Sequence, residues 1–309
     1  MRMLWCRVAL AVGLAACVVP SPAAQDASGQ YTFRSAVDVV TIQASVRDAH
    51  GRVVSDLTPT DFEVRDNGEL RPILSLRSDR QSPLSIAILV DMSGSMSVGP
   101  KIGMTRQAYD SVLSQLRADH DEVALFTFDA SLHQRRDFTR ELSGLKGALD
   151  DFTPFGTTSL YDATAAAAKQ LATRTATRKA IIVLTDGIDT SSDATAREVS
   201  GLASAIDVPV FVVATVPSVD QRLMLEATER AAPSDTADLR DLSTWTGGQF
   251  LFASTMVETV TVAAKLVDEL RQQYVLAIEA ANAREWRRLD VRVRRRSATV
   301  KARTGYYGG

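Results

Sequence analysis

The chain has 309 residues, 35 Lys+Arg against 37 Asp+Glu, and 45% apolar residues, enough for one large domain or two modest ones with a real core. A net charge of −2 excludes a globally basic nucleic-acid binder, and 23% charged residues is ordinary for a folded protein. Only two cysteines occur, Cys6 and Cys17, and three histidines, His50, His120 and His133. These numbers argue against a Cys/His zinc cluster, a disulfide framework or a Cys–His nucleophile, and leave oxygen ligands for the chemistry.

Residues 1–24 read as a signal peptide. Arg2 and Arg7 supply its positive start, residues 8–19 are apolar but too few to span a bilayer, and Ser21-Pro22-Ala23-Ala24 suits cleavage. A second reading stands beside it. Leu14-Ala15-Ala16-Cys17 resembles a bacterial lipobox, in which Cys17 becomes the lipidated first residue and residues 18–30 a tether to the membrane. Under either reading the protein is exported, to the periplasm or cell surface, and the fold does not depend on an internal disulfide.

Residues 31–82 read as an N-terminal β segment. From residue 37, Val37, Val39, Thr41, Gln43 and Ser45 alternate with Asp38, Val40, Ile42, Ala44 and Val46; a second strand over 61–65 closes at Asp66-Asn67-Gly68. At Pro83 the texture changes. Residues 85–90 (SIAILV) form a continuous apolar run, as in a strand covered by helices on both faces. A helix is expected over 102–116, a strand over 123–128, a short helix over 142–152 and an Ala-rich one over 160–171. A strand over 180–184, a helix over 196–206 and a strand over 208–214 follow. Residues 219–238 read as an insertion with one short helix. A helix over 239–245 stopped by Gly247-Gly248, a strand over 249–252 and a helix over 257–272 complete an α/β unit spanning 83–273. The alternation specifies a doubly wound, mostly parallel sheet flanked by helices. Residues 274–309 return to β texture, with strands over 274–279, 289–293 and 299–303. The two terminal β segments are expected to pack together as one small β module, since each alone has too few strands to bury a face.

Ligands of such a sheet sit at the C-terminal ends of its strands. The first strand ends in Asp91-Met92-Ser93-Gly94-Ser95, Gly156-Thr157-Thr158-Ser159 precedes the Ala-rich helix, and the 180–184 strand runs into Thr185-Asp186-Gly187. Two carboxylates, two serine hydroxyls and a threonine hydroxyl thus converge from three loops, and such hard ligands select Mg²⁺, Mn²⁺ or Ca²⁺. The arrangement resembles the metal-ion-dependent adhesion site of the von Willebrand factor A family. Asp91, Ser93 and Ser95 match its D-x-S-x-S motif, Thr158 its second-loop threonine and Asp186 its third-loop aspartate. The resemblance covers about residues 83–253. It implies that the hydroxyls bind metal directly or through water, that the aspartates often act through water, and that a partner protein's Asp or Glu fills an open position. With their β flanks, the motifs look like the exported bacterial "VWFA-related" proteins frequent in acidobacteria. The implied function is non-enzymatic, metal-dependent protein recognition in the cell envelope. The alternatives are an envelope assembly factor that binds constitutively and, more distantly, a metal-dependent hydrolase.

Other readings weigh less. A dehalogenase-type phosphatase wants a second Asp where Ser93 stands, no G-x-S-x-G or Gly-rich phosphate loop is present, and His133 falls on an expected exposed edge strand. Asp162 and Asp189 orient the metal ligands from behind or, in Asp162's case, charge a helix start. Met92 and Met96 form an apolar rim or pack inside. Residues 284–303 hold nine basic side chains against two acidic ones. They read as a patch for an anionic partner or as the solvated face of an edge strand, with the second favoured. Nucleic acid is excluded for want of an aromatic stacking set.

Overall fold

A computed structural model describes residues 39–307 except 79, 177, 206, 219–234 and 283. The signal peptide, the Cys17 lipobox, residues 31–38 of the N-terminal segment and residues 219–234 of the insertion lie outside the described residues. The first strands are β1 (Val39–Arg47), β2 (Phe62–Asp66), β3 (Glu69–Arg71) and β4 (Ile73–Arg77). The central unit follows, with β5 (Leu84–Asp91), α1 (Lys101–Gln115), β6 (Glu122–Phe128), β7 (Leu132–Thr139), α2 (Leu160–Ala172) and β8 (Arg178–Thr185). It continues through α3 (Ala196–Ala205), β9 (Val210–Thr215), α4 (Asp235–Trp245), β10 (Phe250–Ala253) and α5 (Met256–Arg271). The last strands are β11 (Tyr274–Glu279), β12 (Trp286–Val293), β13 (Thr299–Ala302) and β14 (Gly305–Tyr307).

The central sheet has the order β10-β9-β8-β5-β6-β7 and is parallel except for edge strand β7, which carries His133. Every residue of β5 is buried. Ile86, Ile88 and Val90 pack with Tyr109 and Val112 of α1 and Leu266 and Leu270 of α5. Ala87 and Leu89 pack with Leu160 and Ala167 of α2, Val199 of α3 and Leu242 of α4. The unbroken apolar run is thus divided between two helix layers, as a doubly wound sheet requires. Residues 142–152 do not form the expected helix: only Leu142–Leu145 close a 3₁₀ turn, and Gly147 at φ +68 ends any continuation.

The terminal segments interleave in two antiparallel four-stranded sheets, β13-β1-β11-β4 and β14-β12-β2-β3. Between them lies one core that includes Ile42, Val46, Val64, Leu276, Ile278 and Leu289. The second face of β1 is covered as well. Thr41 Oγ1 donates to Asp207 Oδ2 (2.7 Å), Gln43 Nε2 to the Asp207 carbonyl (2.9 Å) and Ser45 Oγ to Glu269 Oε1 (3.1 Å). Its polar alternation therefore meets the base of the central unit and not water. The edge expectation holds for part of the strand: β12 pairs with β14 over Trp286–Arg288 and with β2 over Leu289–Val293, so the stretch carrying Arg292 has β2 alone in register. Its alternation reflects one solvent-facing side.

A single carboxylate organises the second sheet. Asp66, fully buried, accepts hydrogen bonds from Arg287 Nε (2.7 Å) and the Tyr306 hydroxyl (3.1 Å), with Arg71 Nε 3.5 Å away. Removing one member of a buried ion pair strands the other. Asp66→Ala is expected to cost about 3–5 kcal/mol in urea unfolding, whereas Arg292→Ala, which breaks the exposed pair with Asp290, should cost at most about 1 kcal/mol.

Candidate metal-binding rim

Asp91, Ser93, Ser95 and Asp186 lie at the C-terminal ends of β5 and β8, and Thr158 lies on a second loop tied to the first by the Gly94–Gly156 hydrogen bond. Asp91 closes β5 and is fully buried; its Oδ1 accepts the Ser93 backbone N–H (2.8 Å) and its Oδ2 the Thr185 hydroxyl (2.6 Å). Burial pushes its carboxyl up to about 6, and the nearby Asp186 charge adds to the rise, against the opposing hydrogen bonds from Ser93 and Thr185. The Ser93 and Ser95 hydroxyls lie 3.1 Å apart, Ser93 buried and Ser95 exposed. Thr158 is buried on the second loop, and Asp186 follows β8 with 1% exposure.

Backbone hydrogen bonds hold the three loops in one register. Gly94 N donates to the Gly156 carbonyl (2.9 Å), Phe155 N to Met92 O (2.7 Å), and Thr190 N and Ser191 N to Thr158 O (2.9 and 3.0 Å). Gly156 sits at φ +92, a conformation that suits glycine alone at low cost. Beneath the rim a chain of buried hydroxyls runs from Thr105 to Thr215 (2.6 Å) and on to the Thr185 carbonyl (3.3 Å).

Lys101 at the start of α1 escaped the sequence analysis. Its Nζ donates to Asp186 Oδ2 at 3.0 Å with only 14% of its side chain exposed. The other oxygen, Asp186 Oδ1, is buried and receives no hydrogen bond. Nothing local in Gly99-Pro100-Lys101 signals this contact, because it joins residues 85 positions apart.

Asp162 and Asp189 are engaged elsewhere. Asp162 accepts from the Asp193 and Ala194 backbone N–H groups (3.0 Å each). Asp189 Oδ2 accepts from Leu160 N (2.7 Å), Tyr161 N (3.1 Å) and the Ser192 hydroxyl (2.6 Å), so it caps α2 from a neighbouring loop. Met92 and Met96 are buried and supply packing. The exposed apolar residues on these loops are Val98 (63%), Phe155 (83%) and Ile188 (44%). They were missed because a lone apolar residue in a polar loop has no periodicity to mark it.

The donor set fits a hard divalent cation. Two carboxylates stand beside three hydroxyls, and one carboxylate oxygen is buried without a donor. Among the described residues no three His, Cys, Asp or Glu side chains cluster, so hydroxyls make up the rest of the donor set.

Residues 86–188 match the family model of the von Willebrand factor type A domain. The segment runs from β5 through the third rim loop and so contains all five rim residues. Proximal thread matrix protein 1 from the mussel byssus, solved with zinc in its metal-ion-dependent adhesion motif, is similar in fold. It has TM-score 0.51 and 16% identity, over 66% of this chain and 49% of that one, so the match spans about half of the mussel protein. BatB from Bacteroides thetaiotaomicron aligns at TM-score 0.47 and 15% identity, over 60% of this chain and 98% of its own. An aerotolerance-related membrane protein from Bacteroides fragilis aligns at 0.49 and 16%, with the same coverage. No curated protein matches in sequence. The central unit is thus von Willebrand factor A-like, with an antiparallel β sandwich built from its flanks.

The Asp189 cap has a direct consequence. Asp189→Ala should destabilise the A-type domain by about 1–2 kcal/mol, a typical value for a lost N-cap, and should speed amide exchange at Leu160 and Tyr161. Exchange unchanged at those two amides would show that Asp189 does not cap α2.

Proposed function

We propose that the rim is a divalent-cation site, Mg²⁺ foremost with Mn²⁺ or Ca²⁺ as substitutes, through which the exported protein holds an Asp or Glu of a partner protein. The observation carrying this reading is Asp186 Oδ1, a buried carboxylate oxygen with no donor, next to a second buried carboxylate and three hydroxyls. Ser93, Ser95 and Thr158 would hold the ion with Asp91 and Asp186, either directly or through water. A bound cation would supply a positive centre that two carboxylates just neutralise, leaving an incoming carboxylate a charge-assisted contact.

The chain's own groups prepare that event. Asp91 is held by Ser93 N and Thr185 Oγ1, which fixes the first loop against the end of β8. The Gly94–Gly156 and Thr158–Thr190 hydrogen bonds keep the hydroxyl-bearing loops from spreading. Lys101 must release Asp186 Oδ2 before that oxygen can serve another cation. Val98, Phe155 and Ile188 surround the polar centre with apolar surface, which suits a protein partner more than a small ion alone. The family match and the fold support an interaction module. The reading of residues 1–24 as an export signal is what favours an envelope location, with Cys17 as the attachment point if the lipobox is used, and the sequence motifs with their β flanks are what favour kinship with the acidobacterial group.

Lys101 also favours a second reading, in which its ammonium serves as the permanent counter-ion and the rim engages a neighbouring chain without metal. Pull-down from envelope extract separates the two. Capture that EDTA reverses and Asp91→Ala or Ser93→Ala/Ser95→Ala abolishes is expected; capture indifferent to EDTA would establish the second reading. Calorimetric titration with Mg²⁺ and Mn²⁺ should show heat for the wild type and none for Asp91→Ala. Lys101→Met, which removes the competing ammonium, should tighten cation binding about tenfold or more, on the order of 1.4 kcal/mol of competition.

A further inference from the structure

At the opposite end of the A-type sheet, where β10 begins, a cleft of about 1260 Å³ lies between the central unit and the β sandwich. β8, eight residues long, separates the two ends by roughly 25 Å at about 3.3 Å per residue. One wall comes from α3 and α4, with Arg197 and Arg240; the other comes from β12, with Trp286 and Arg288; β13 forms the floor. Among the described lining residues six are cationic and only Asp290 is acidic.

Three of the six cations are spoken for. Arg292 pairs with Asp290 (2.6 Å), Lys301 lies 4.0 Å from Glu269, and Arg303 donates to the Ser204 and Thr41 carbonyls. Arg197, Arg240 and Arg288 have no carboxylate partner among the described residues. Two of them are held in place by aromatic rings: Arg197 lies over Trp245 (5.7 Å), and Arg240 over Phe250 and Phe252 (5.0 and 5.3 Å). Among the described residues, the buried Arg240 Nε meets no acceptor, so a ligand that supplies one satisfies it. Guanidinium forks suit carboxylates through paired N–H donors. Three forks on two walls call for a ligand with several such groups, since one small anion cannot reach all of them.

The floor narrows the ligand class. β13 pairs with β1 on one side and is the edge of its sheet on the other, and its residues Val300, Lys301 and Ala302 line the cleft. An unpaired strand edge offers main-chain donors and acceptors at the spacing of an extended peptide. Trp286, 43% exposed, stands two residues from Arg288 on the same side of β12 and offers an apolar contact between charges. We infer that this cleft is a second binding site, independent of the metal rim, which takes an extended, carboxylate-rich segment of a partner protein as an added strand on β13.

The test uses the full exported chain and a fluorescein-labelled peptide of alternating Glu and Val. Anisotropy should report binding that weakens with salt, falls at least tenfold in Arg197→Glu and in Arg288→Glu, and is unaffected by EDTA or Asp91→Ala. Both arginines are exposed, so urea midpoints equal to the wild type would show the variants folded. Amides of residues 299–302 should gain exchange protection when the peptide is added. Wild-type affinity in both charge-reversed variants, or no added protection on β13, would overturn the proposal. Tighter binding of a uronate oligosaccharide than of the Glu–Val peptide would reassign the cleft to glycans. Peptide binding lost with EDTA would instead place the peptide on the metal rim.

Discussion

Two carboxylates, Asp91 and Asp186, are buried side by side at the ends of adjacent strands, and the surrounding structure is arranged around that charge. A carboxylate removed from water must be hydrogen-bonded, paired or neutralised. Asp91 takes the Ser93 N–H and the Thr185 hydroxyl, while Asp186 has one ammonium on one oxygen and nothing on the other. The requirement reaches outward. Thr185 must end β8 beside Asp91, and the hydroxyl chain through Thr215 and Thr105 then ties β8 to β9 and α1. Gly156 must turn where it does so that its carbonyl meets Gly94.

The opposite pole solves a different problem, that of attaching an antiparallel sandwich to the base of a parallel sheet. Sheet β13-β1-β11-β4 lies between the central unit and the second sheet, so its strands need a partner on each face. The solution is polar on one side and apolar on the other. Thr41, Gln43 and Ser45 meet Asp207 and Glu269, while Ile42, Ala44 and Val46 enter the sandwich core. Arg178 strengthens the joint by donating to the Arg271 and Gln273 carbonyls (3.0 Å each), just where the chain leaves α5 for β11. Three of the nine basic side chains of the C-terminal run are engaged within the fold in this way: Arg287 on Asp66 in the sandwich, Arg295 on Asp56 and Arg303 on two carbonyls.

What sequence reveals here depends on the range of the interaction. The run at 85–90, the D-x-S-x-S motif and the Asn67-Gly68 turn are local patterns, and each reads directly as a buried strand, a rim and a hairpin. The helix expected over 142–152 failed because its apolar spacing was outweighed by Gly144 and Gly147 within one turn of each other. β4 and β14 went unseen because they are short and gain their structure from β11 and β12. The burial of Gln43 and Ser45, the Lys101–Asp186 pair and the cleft between α3, α4 and β12 all depend on residues brought together from far apart in the chain. No window of the sequence contains both sides of any of them.

The interleaving of the two ends also dictates an order of assembly. Among the described strands β1 has its ladders with β11 and β13, and the buried partners Asp66 and Arg287 are 221 positions apart. The intervening A-type unit is rich in nearest-neighbour βαβ contacts and can form as soon as it emerges. β2 can pair at once with β3 through the Asn67-Gly68 turn, but β1 must wait for β11 and β13 until nearly the whole chain has been made. Closing so long a loop is slow, and open strand edges in the interval invite association with other chains. The completed α/β unit shortens that search by bringing Leu84 and Arg271 to the same pole, through Asp121, which accepts from both the Leu84 N–H and Arg271. It thereby acts as an internal template on which the late sandwich closes.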